Sequence, residues 1–265
     1  MVIVVKAGGR ALQSNMENIA RNLARMSGEG IVFVHGGGDV VTEYSKKLGV
    51  TPIIVTSPSG IRSRYTDEKE LEVYVMTMAG KLNKEIVSAI QRYGGKAVGL
   101  SGVDGGLLIA ERKKKIIIVG EHGRKRIIPG GYTGSIRAVN ASLINQLLQA
   151  GYLPVIAPLA LGAEGEILNV DGDQAASWIA RGIAAELLVF LSDVDGVIVD
   201  GRVAERLTAS EASELAKKIG PGMNRKVALA SETVLGGVKR VLITSGLGED
   251  PLSRISTLQG TVIGE

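Results

Sequence analysis

Six short, continuously apolar runs recur along the chain, and nothing else in it restricts the possible folds as strongly. They are "VIVV" (2–5), "IVFV" (31–34), "KAVGL" (96–100), "PVIA" (154–157), "LLVFL" (187–191) and "RVLIT" (240–244). Because apolar and polar residues do not alternate in them, they read as strands covered on both faces. The stretches between many of them carry helical periodicity. Over 15–27, Ile19, Leu23 and Met26 fall near one face with charge opposite. The segments 67–93, 138–150, 171–183, 208–219 and 224–235 read the same way. Such strand–helix alternation predicts an α/β chain with a mostly parallel sheet and helices on both sides. A chain of 265 residues, 45% of them hydrophobic, can fill that core.

The segment 107–137 breaks the rhythm and reads as a β-hairpin excursion turning near Glu121–Gly123. Its middle, "ERKKKIIIVGEHGRKR" (111–126), holds seven Lys or Arg against two Glu, a local +5 in a chain of net charge +4. The remaining residues therefore sum to 4 − 5 = −1, and the basicity is local. A general nucleic-acid binder fits poorly. No aromatic interleaving or amphipathic anchor accompanies the charge, so RNA and membrane roles rank below other acidic partners. The absence of cysteine excludes disulfides, thiolate zinc sites and a cysteine nucleophile. With His35 and His122 the only histidines, no histidine-rich metal site is expected. No apolar run approaches membrane-spanning length and "MVIVVKAGG" is too short for a secretion signal, so a cytoplasmic enzyme is the expectation.

Polar and glycine residues gather just after the strands: Lys6-Ala-Gly8-Gly9, His35-Gly36-Gly37-Gly38, Ser101-Gly102, Ser192-Asp193-Val194-Asp195-Gly196 and Thr244-Ser245-Gly246. Open parallel sheets bind ligands outside the carboxyl ends of their strands, so these loops together predict a site there. Any one of them alone would pass for ordinary turn chemistry. Glycine-rich turns between strand and helix suit phosphate, since unpaired N–H groups meet a positive helix end. Neither "KAGGRALQSN" nor "HGGGDV" carries a standard phosphate-loop or dinucleotide fingerprint.

The series "VKAGG", "VHGGG", "SRYTD", "GYLPVIAP", "LNVDGDQAA", "LSDVDG" and "GPGMNRKV" resembles the amino acid kinase family, and within it the N-acetylglutamate kinases. The resemblance spans roughly residues 2 to 245. It implies an open αβα sandwich of two lobes, acyl-substrate (1–163) and nucleotide (164–265). It also implies transfer of the ATP γ-phosphoryl group to a side-chain carboxylate, with Mg²⁺ arriving on ATP, as no carboxylate cluster suggests a protein cage. By matched motif positions, Lys6 and Lys226 would flank the transferred group and Asp173 would hold both lysines. Backbone N–H groups of Gly8, Gly9, Gly37 and Gly38 would line the phosphate path, with Gly36, Gly37 and Gly38 on the substrate side. Asn169 and Arg64 would bind substrate, and Ser192, Asp193 and Gly196 nucleotide. His35 reads as a residue fixing its loop rather than as a catalytic acid.

Two departures from the N-acetylglutamate kinase pattern stand out. "SGIRSRYTD" offers two arginines with two extra residues before Thr66-Asp67; spacing from Thr66-Asp67 selects Arg64 as the carboxylate clamp, and spacing from Gly60 selects Arg62. "GGYTGSI" (130–136) is the second. With the basic hairpin, both resemble the branch that acts on carrier-linked substrates, the LysW-aminoadipate/LysW-glutamate kinases. That resemblance implies an acidic amino-group carrier protein of the LysW type as partner, docking on Arg112, Lys113, Lys114, Lys115, Arg124, Lys125 and Arg126. A homodimer is expected, without nucleic-acid or membrane partners. An ordinary kinase of free N-acetylglutamate and a non-catalytic sensor are the alternatives. Aminoadipate and glutamate differ by one methylene and are not separated by the sequence.

Overall fold

The computed structural model describes all residues except 59, 61, 121, 122 and 221. The six apolar runs form the parallel heart of one eight-stranded sheet. β1 (Ile3–Ala7) leads into α1 (Gly9–Arg25), and β2 (Ile31–His35) into α2 (Gly38–Lys47). A short hairpin, β3 (Ile53–Thr56) and β4 (Arg62–Tyr65), precedes α3 (Glu68–Val75) and α4 (Asn83–Arg92), which a π-helical segment, Met76–Leu82, joins into one rod. β5 (Ala97–Ser101) opens the excursion β6 (Leu108–Arg112), β7 (Lys115–Val119), β8 (Lys125–Pro129) and β9 (Gly134–Val139). Then come α5 (Ala141–Gln149), β10 (Leu153–Ala157), β11 (Leu159–Leu161), β12 (Ile167–Asn169) and α6 (Gly172–Gly182). β13 (Leu187–Ser192) is followed by β14 (Ile198–Val199), β15 (Arg202–Val203), β16 (Arg206–Leu207), α7 (Ala209–Ala216) and α8 (Met223–Leu235). β17 (Arg240–Ser245), α9 (Ser253–Thr257) and β18 (Thr261–Gly264) close the chain.

The sheet order is β16-β18-β17-β13-β1-β2-β10-β5, with β5 through β17 parallel and β18 antiparallel to β17. Two apolar cores sandwich it. Val4, Val32, Val34, Phe190 and Ile243 point toward α6 and α8; Ile3, Val5, Phe33, Val189 and Leu242 point toward α1 and α4. This is the αβα sandwich expected from the alternation. Strand side chains alternate faces, so Lys6 shares the face of Val4 and meets α6 and α8.

The excursion is richer than a single hairpin. β6 and β9 pair with each other and, through β11, with β12 in a second sheet, while β7 and β8 form a separate two-stranded hairpin beyond them. Gly120 N–H donates to the Arg124 carbonyl at 2.8 Å, closing the hairpin end. The turn expected near Glu121–Gly123 falls on residues 121 and 122 and lies outside the described residues, as does His122. α2, α9, β18 and the β3–β4 hairpin had no counterpart in the periodicity reading. α2 offers only Val40, Val41 and Ser45 as buried residues, too little apolar pattern over ten positions to register.

Candidate active site

Chain direction across the sheet reverses between β1 and β13, and the crevice at such a reversal is where parallel sheets hold ligands. Lys6, at the end of β1, is buried there. Asp173 comes from the first turn of α6, where Asp171 caps the helix by accepting from Gln174 N–H at 3.0 Å. A carboxylate in that turn also complements the positive helix end. Lys226 comes from the first turn of α8.

The three meet. Lys226 Nζ donates to Asp173 Oδ2 at 2.7 Å, and Lys6 Nζ forms an ion pair with Oδ1 at 2.7 Å that is not an aligned hydrogen bond. Lys226 Nζ also lies 4.6 Å from the Phe190 ring centroid, over the residue paired with Lys6 in the sheet. Burial pushes the Asp173 carboxyl up, but the two ammonium groups outweigh it and hold it well below the usual carboxylate range. Burial lowers the Lys226 ammonium from its ordinary value, with Asp173 opposing. The result is a pair of cations on either side of one anion, with net positive charge, and Lys6 and Asp173 line a cavity of about 660 Å³.

Gly9, Gly36, Gly37, Gly38 and Asn169 line that cavity. Gly9 and Gly38 open α1 and α2, and the N–H groups of Gly9, Gly37 and Gly38 have no acceptor among the described residues. Gly8 and Gly36 differ from that expectation. Gly8 N–H donates to the Leu191 carbonyl at 3.3 Å and Gly36 N–H to that of Ala7 at 2.9 Å, so both are committed to the sheet ends. Gly37 has a packing reason as well: a Cβ there would stand 2.2 Å from Leu82 Cδ1.

Three separated motifs are stitched together at the acyl end. Asn169 Nδ2 donates to Thr66 Oγ1 at 2.8 Å, Tyr132 N–H to the Thr66 carbonyl at 2.7 Å, and Asn169 N–H to the Tyr132 carbonyl at 2.9 Å. "SRYTD", "GYTG" and "LNVDGD" thus form one wall. Arg62 and Arg64 both reach the cavity. Arg64 is held internally, in an ion pair with buried Glu70 and with bonds to the Gly38 carbonyl (2.8 Å) and Thr42 Oγ1 (2.6 Å). Arg62 has no side-chain partner among the described residues. Sequence reasoning missed Glu70, Thr66, and the Arg225–Asp171 pair at 3.0 Å on the cavity wall. The last was legible only as charged neighbours of Lys226 and Asp173.

Ser192 ends β13, Asp193 and Gly196 follow it, and all three lie outside this cavity. Asp193 pairs with Arg10 at 2.7 Å, and Gly196 packs so closely that a Cβ would be 2.7 Å from Val203 Cγ1 and 2.8 Å from Thr261 Oγ1. In the basic segment, Arg112 is built into the fold: its Nε donates to the Gly131 carbonyl at 2.7 Å and its guanidinium stacks 4.1 Å from the Tyr132 ring centroid. Lys113 reaches the cavity rim with Ile116, Ile117 and Ile118. Lys113, Lys114, Lys115, Arg124, Lys125 and Arg126 are exposed and have no acidic partner among the described residues. Nor does any group of three or more His, Asp or Glu converge as a metal cage among those residues, and no helix is long and apolar enough to cross a membrane.

The family model for "Amino acid kinase family" matches residues 1–245. The chain belongs to the amino acid kinase family. Among similar proteins of this family, a [LysW]-aminoadipate/[LysW]-glutamate kinase of Sulfurisphaera tokodaii is 54% identical over 99% of this chain and 100% of its own. The protein of the same name from Saccharolobus solfataricus is 50% identical over 99% of both. Among solved structures, N-acetylglutamate synthase from Neisseria gonorrhoeae superposes with TM-score 0.81 and 27% identity over all of this chain, which spans 59% of that one. Carbamate kinase from Giardia lamblia, at 16% identity and TM-score 0.67, shares the amino acid kinase fold.

Proposed function

We propose that this chain is a kinase that transfers the γ-phosphoryl group of ATP to the side-chain carboxylate of aminoadipate or glutamate carried on an acidic LysW-type protein, in lysine or arginine biosynthesis. One observation carries the choice of carrier-linked over free substrate: an exposed basic hairpin, its basic residues without acidic partners among the described residues, stands at the rim of the cavity that Lys6 and Asp173 line. The similarity over the whole length to kinases of that name supports the same reading.

The chemistry follows from charge. The acceptor is an ionised carboxylate, so no proton has to be removed. One of its oxygens forms the new bond to the γ-phosphorus while the bond to the β,γ-bridging oxygen breaks and ADP leaves with that electron pair. Charge on the equatorial oxygens is met by Lys6 and Lys226, which Asp173 keeps apart and in place, and by the N–H groups of Gly9, Gly37 and Gly38. Mg²⁺ would arrive bound to the triphosphate and offset part of its charge. Arg62, at the cavity and without a side-chain partner among the described residues, suits the substrate's free carboxylate, with Arg64 shaping the wall through Glu70. Asn169 and Thr66 line the same wall. The nucleotide base end runs toward Ser192–Gly196. Residues 1–163 act as the acyl lobe and 164–265 as the nucleotide lobe, and two copies form a dimer.

Hydroxamate trapping of the acyl phosphate tests this, with carrier-linked aminoadipate, carrier-linked glutamate and free N-acetylglutamate as substrates. Turnover confined to linked substrates and weakened by salt is expected. Equal turnover of free N-acetylglutamate would overturn the carrier reading, and turnover of none would leave a sensor.

A further inference from the structure

Asn83, the first residue of α4, is fully buried and has no part in the chemistry above. Its side chain points into the sheet, where Nδ2 donates to the Val155 carbonyl at 2.9 Å and the Leu100 carbonyl at 3.2 Å. Those carbonyls lie within β10 and β5, and both can only accept. The orientation of the amide is therefore fixed: an oxygen in the same place would face two carbonyl oxygens without water between them. Oδ1, on the other side, accepts from Lys84 Nζ at 3.1 Å. Room for the amide is made by Gly99 inside β5, where a Cβ would stand 2.1 Å from Asn83 Oδ1.

The same NH₂ group stands 3.3 Å from His35 Nε2. The amide shares its two hydrogens among three neighbours, the two carbonyls and Nε2, and offers no acceptor there, so Nε2 is the bare nitrogen and the ring proton sits on Nδ1. Nδ1 in turn lies 3.3 Å from the Gly36 carbonyl, an acceptor. Amide orientation thus dictates imidazole tautomer, and the tautomer dictates a bond to the glycine loop. The π-helical segment before Asn83 supplies a second hold. Leu82 and Met78 approach Gly37 so closely that a Cβ on it would be 2.2 Å and 3.0 Å away, respectively. A π segment widens the helix by one residue per turn, and here the widened turn brings apolar contact to Gly37 and the amide beneath His35.

We propose that Asn83 is a positioning residue for phosphoryl transfer. By holding His35 as the Nδ1–H tautomer, and with the Met76–Leu82 π segment against Gly37, it sets the direction in which the Gly37 and Gly38 N–H groups face the cavity. Its kinetic consequence rests on the kinase reading above; the tautomer does not.

Two measurements on the full chain test it. The first is ring-nitrogen NMR of the ¹⁵N-histidine-labelled protein, with His122→Gln to assign the single remaining histidine. A neutral Nδ1–H ring at pH 7 is expected for His35, and an Nε2–H ring or an imidazolium overturns the proposal. The second compares Asn83→Ser and Asn83→Asp with the parent chain in hydroxamate turnover. A folded Asn83→Ser protein should lose about 10- to 100-fold in kcat, as misaligned donors do, with KM for the carrier-linked substrate within about threefold. A folded variant with unchanged kcat, or one that loses only in KM, overturns it. Asn83→Asp in a folded chain should shift His35 toward Nε2–H; retention of Nδ1–H refutes the proposed chain of control. An inactive parent chain would count against the kinase reading alone, since the NMR result stands without turnover.

Discussion

Lys6 and Lys226, from the first strand and the last long helix, each stand 2.7 Å from a different oxygen of Asp173. Two cations this close, Lys6 buried and Lys226 largely so, would repel strongly without the carboxylate between them. With it, they form a preset positive site that needs little rearrangement when an anionic phosphoryl group enters.

Removing that anion is therefore expected to do two things. Asp173→Asn should lower kcat by about 10²-fold or more through misplaced lysines, and destabilise the fold by about 3 kcal/mol, because two charges lose their partner. Urea unfolding alongside turnover separates the effects; an Asn variant as stable and active as the parent would remove Asp173 from the site.

Lys226 also predicts an alkaline limb. Its folded value is lowered, chiefly by burial, so it sheds its proton below the ordinary lysine value of 10.5. The kcat profile should fall on the alkaline side before that value. Lys226→Arg, which stays protonated, should remove the fall even if its absolute rate is lower.

His35 makes stability depend on pH in a defined window. Burial lowers its folded pKa to about 4, against 6.5 for the ordinary side chain. Below 6.5 the unfolded chain takes up a proton that the folded chain refuses, so stability falls on acidification from 6.5 toward 4, at up to about 1.4 kcal/mol per pH unit. Denaturant midpoints should lose this slope in His35→Gln, measured over the same range.

Gly37 should tolerate no side chain. Gly37→Ala places a Cβ 2.2 Å from Leu82 Cδ1 and is expected to cost about 1–3 kcal/mol by overpacking. Leu82→Ala should recover part of that loss in the double variant. If the two changes simply add, the contact does not constrain the loop.

The two arginines should separate. Arg64→Ala takes the cation from buried Glu70, leaving Ser45 Oγ on Oε1 at 3.2 Å and no partner on Oε2 among the described residues, and should lower stability by about 3 kcal/mol. Arg62→Ala should leave unfolding unchanged and raise KM for the carrier-linked substrate about tenfold. Reversed outcomes would make Arg64 the clamp that its spacing from Thr66-Asp67 suggests.

Much of the site was legible in the sequence because strand geometry is local. The apolar runs fixed which segments enter the sheet, and a period of two put Lys6 on the face that α6 and α8 cover. The glycine loops after β1 and β2 pointed to an anion site, and family motifs singled out Asp173 and Lys226. What the sequence could not determine depended on which long-range partners each group found. Gly8 and Gly36 look like phosphate donors until β13 and β1 claim their N–H groups. Arg64 looks free until Glu70, Thr42 and the Gly38 carbonyl surround it. Asn83 reads as an ordinary polar residue on a helix, because neither the π segment nor the gap at Gly99 is written in local periodicity. Hydrogen bonds and close contacts are settled between residues distant in sequence, so only the tertiary structure decided which donors stay open to a ligand.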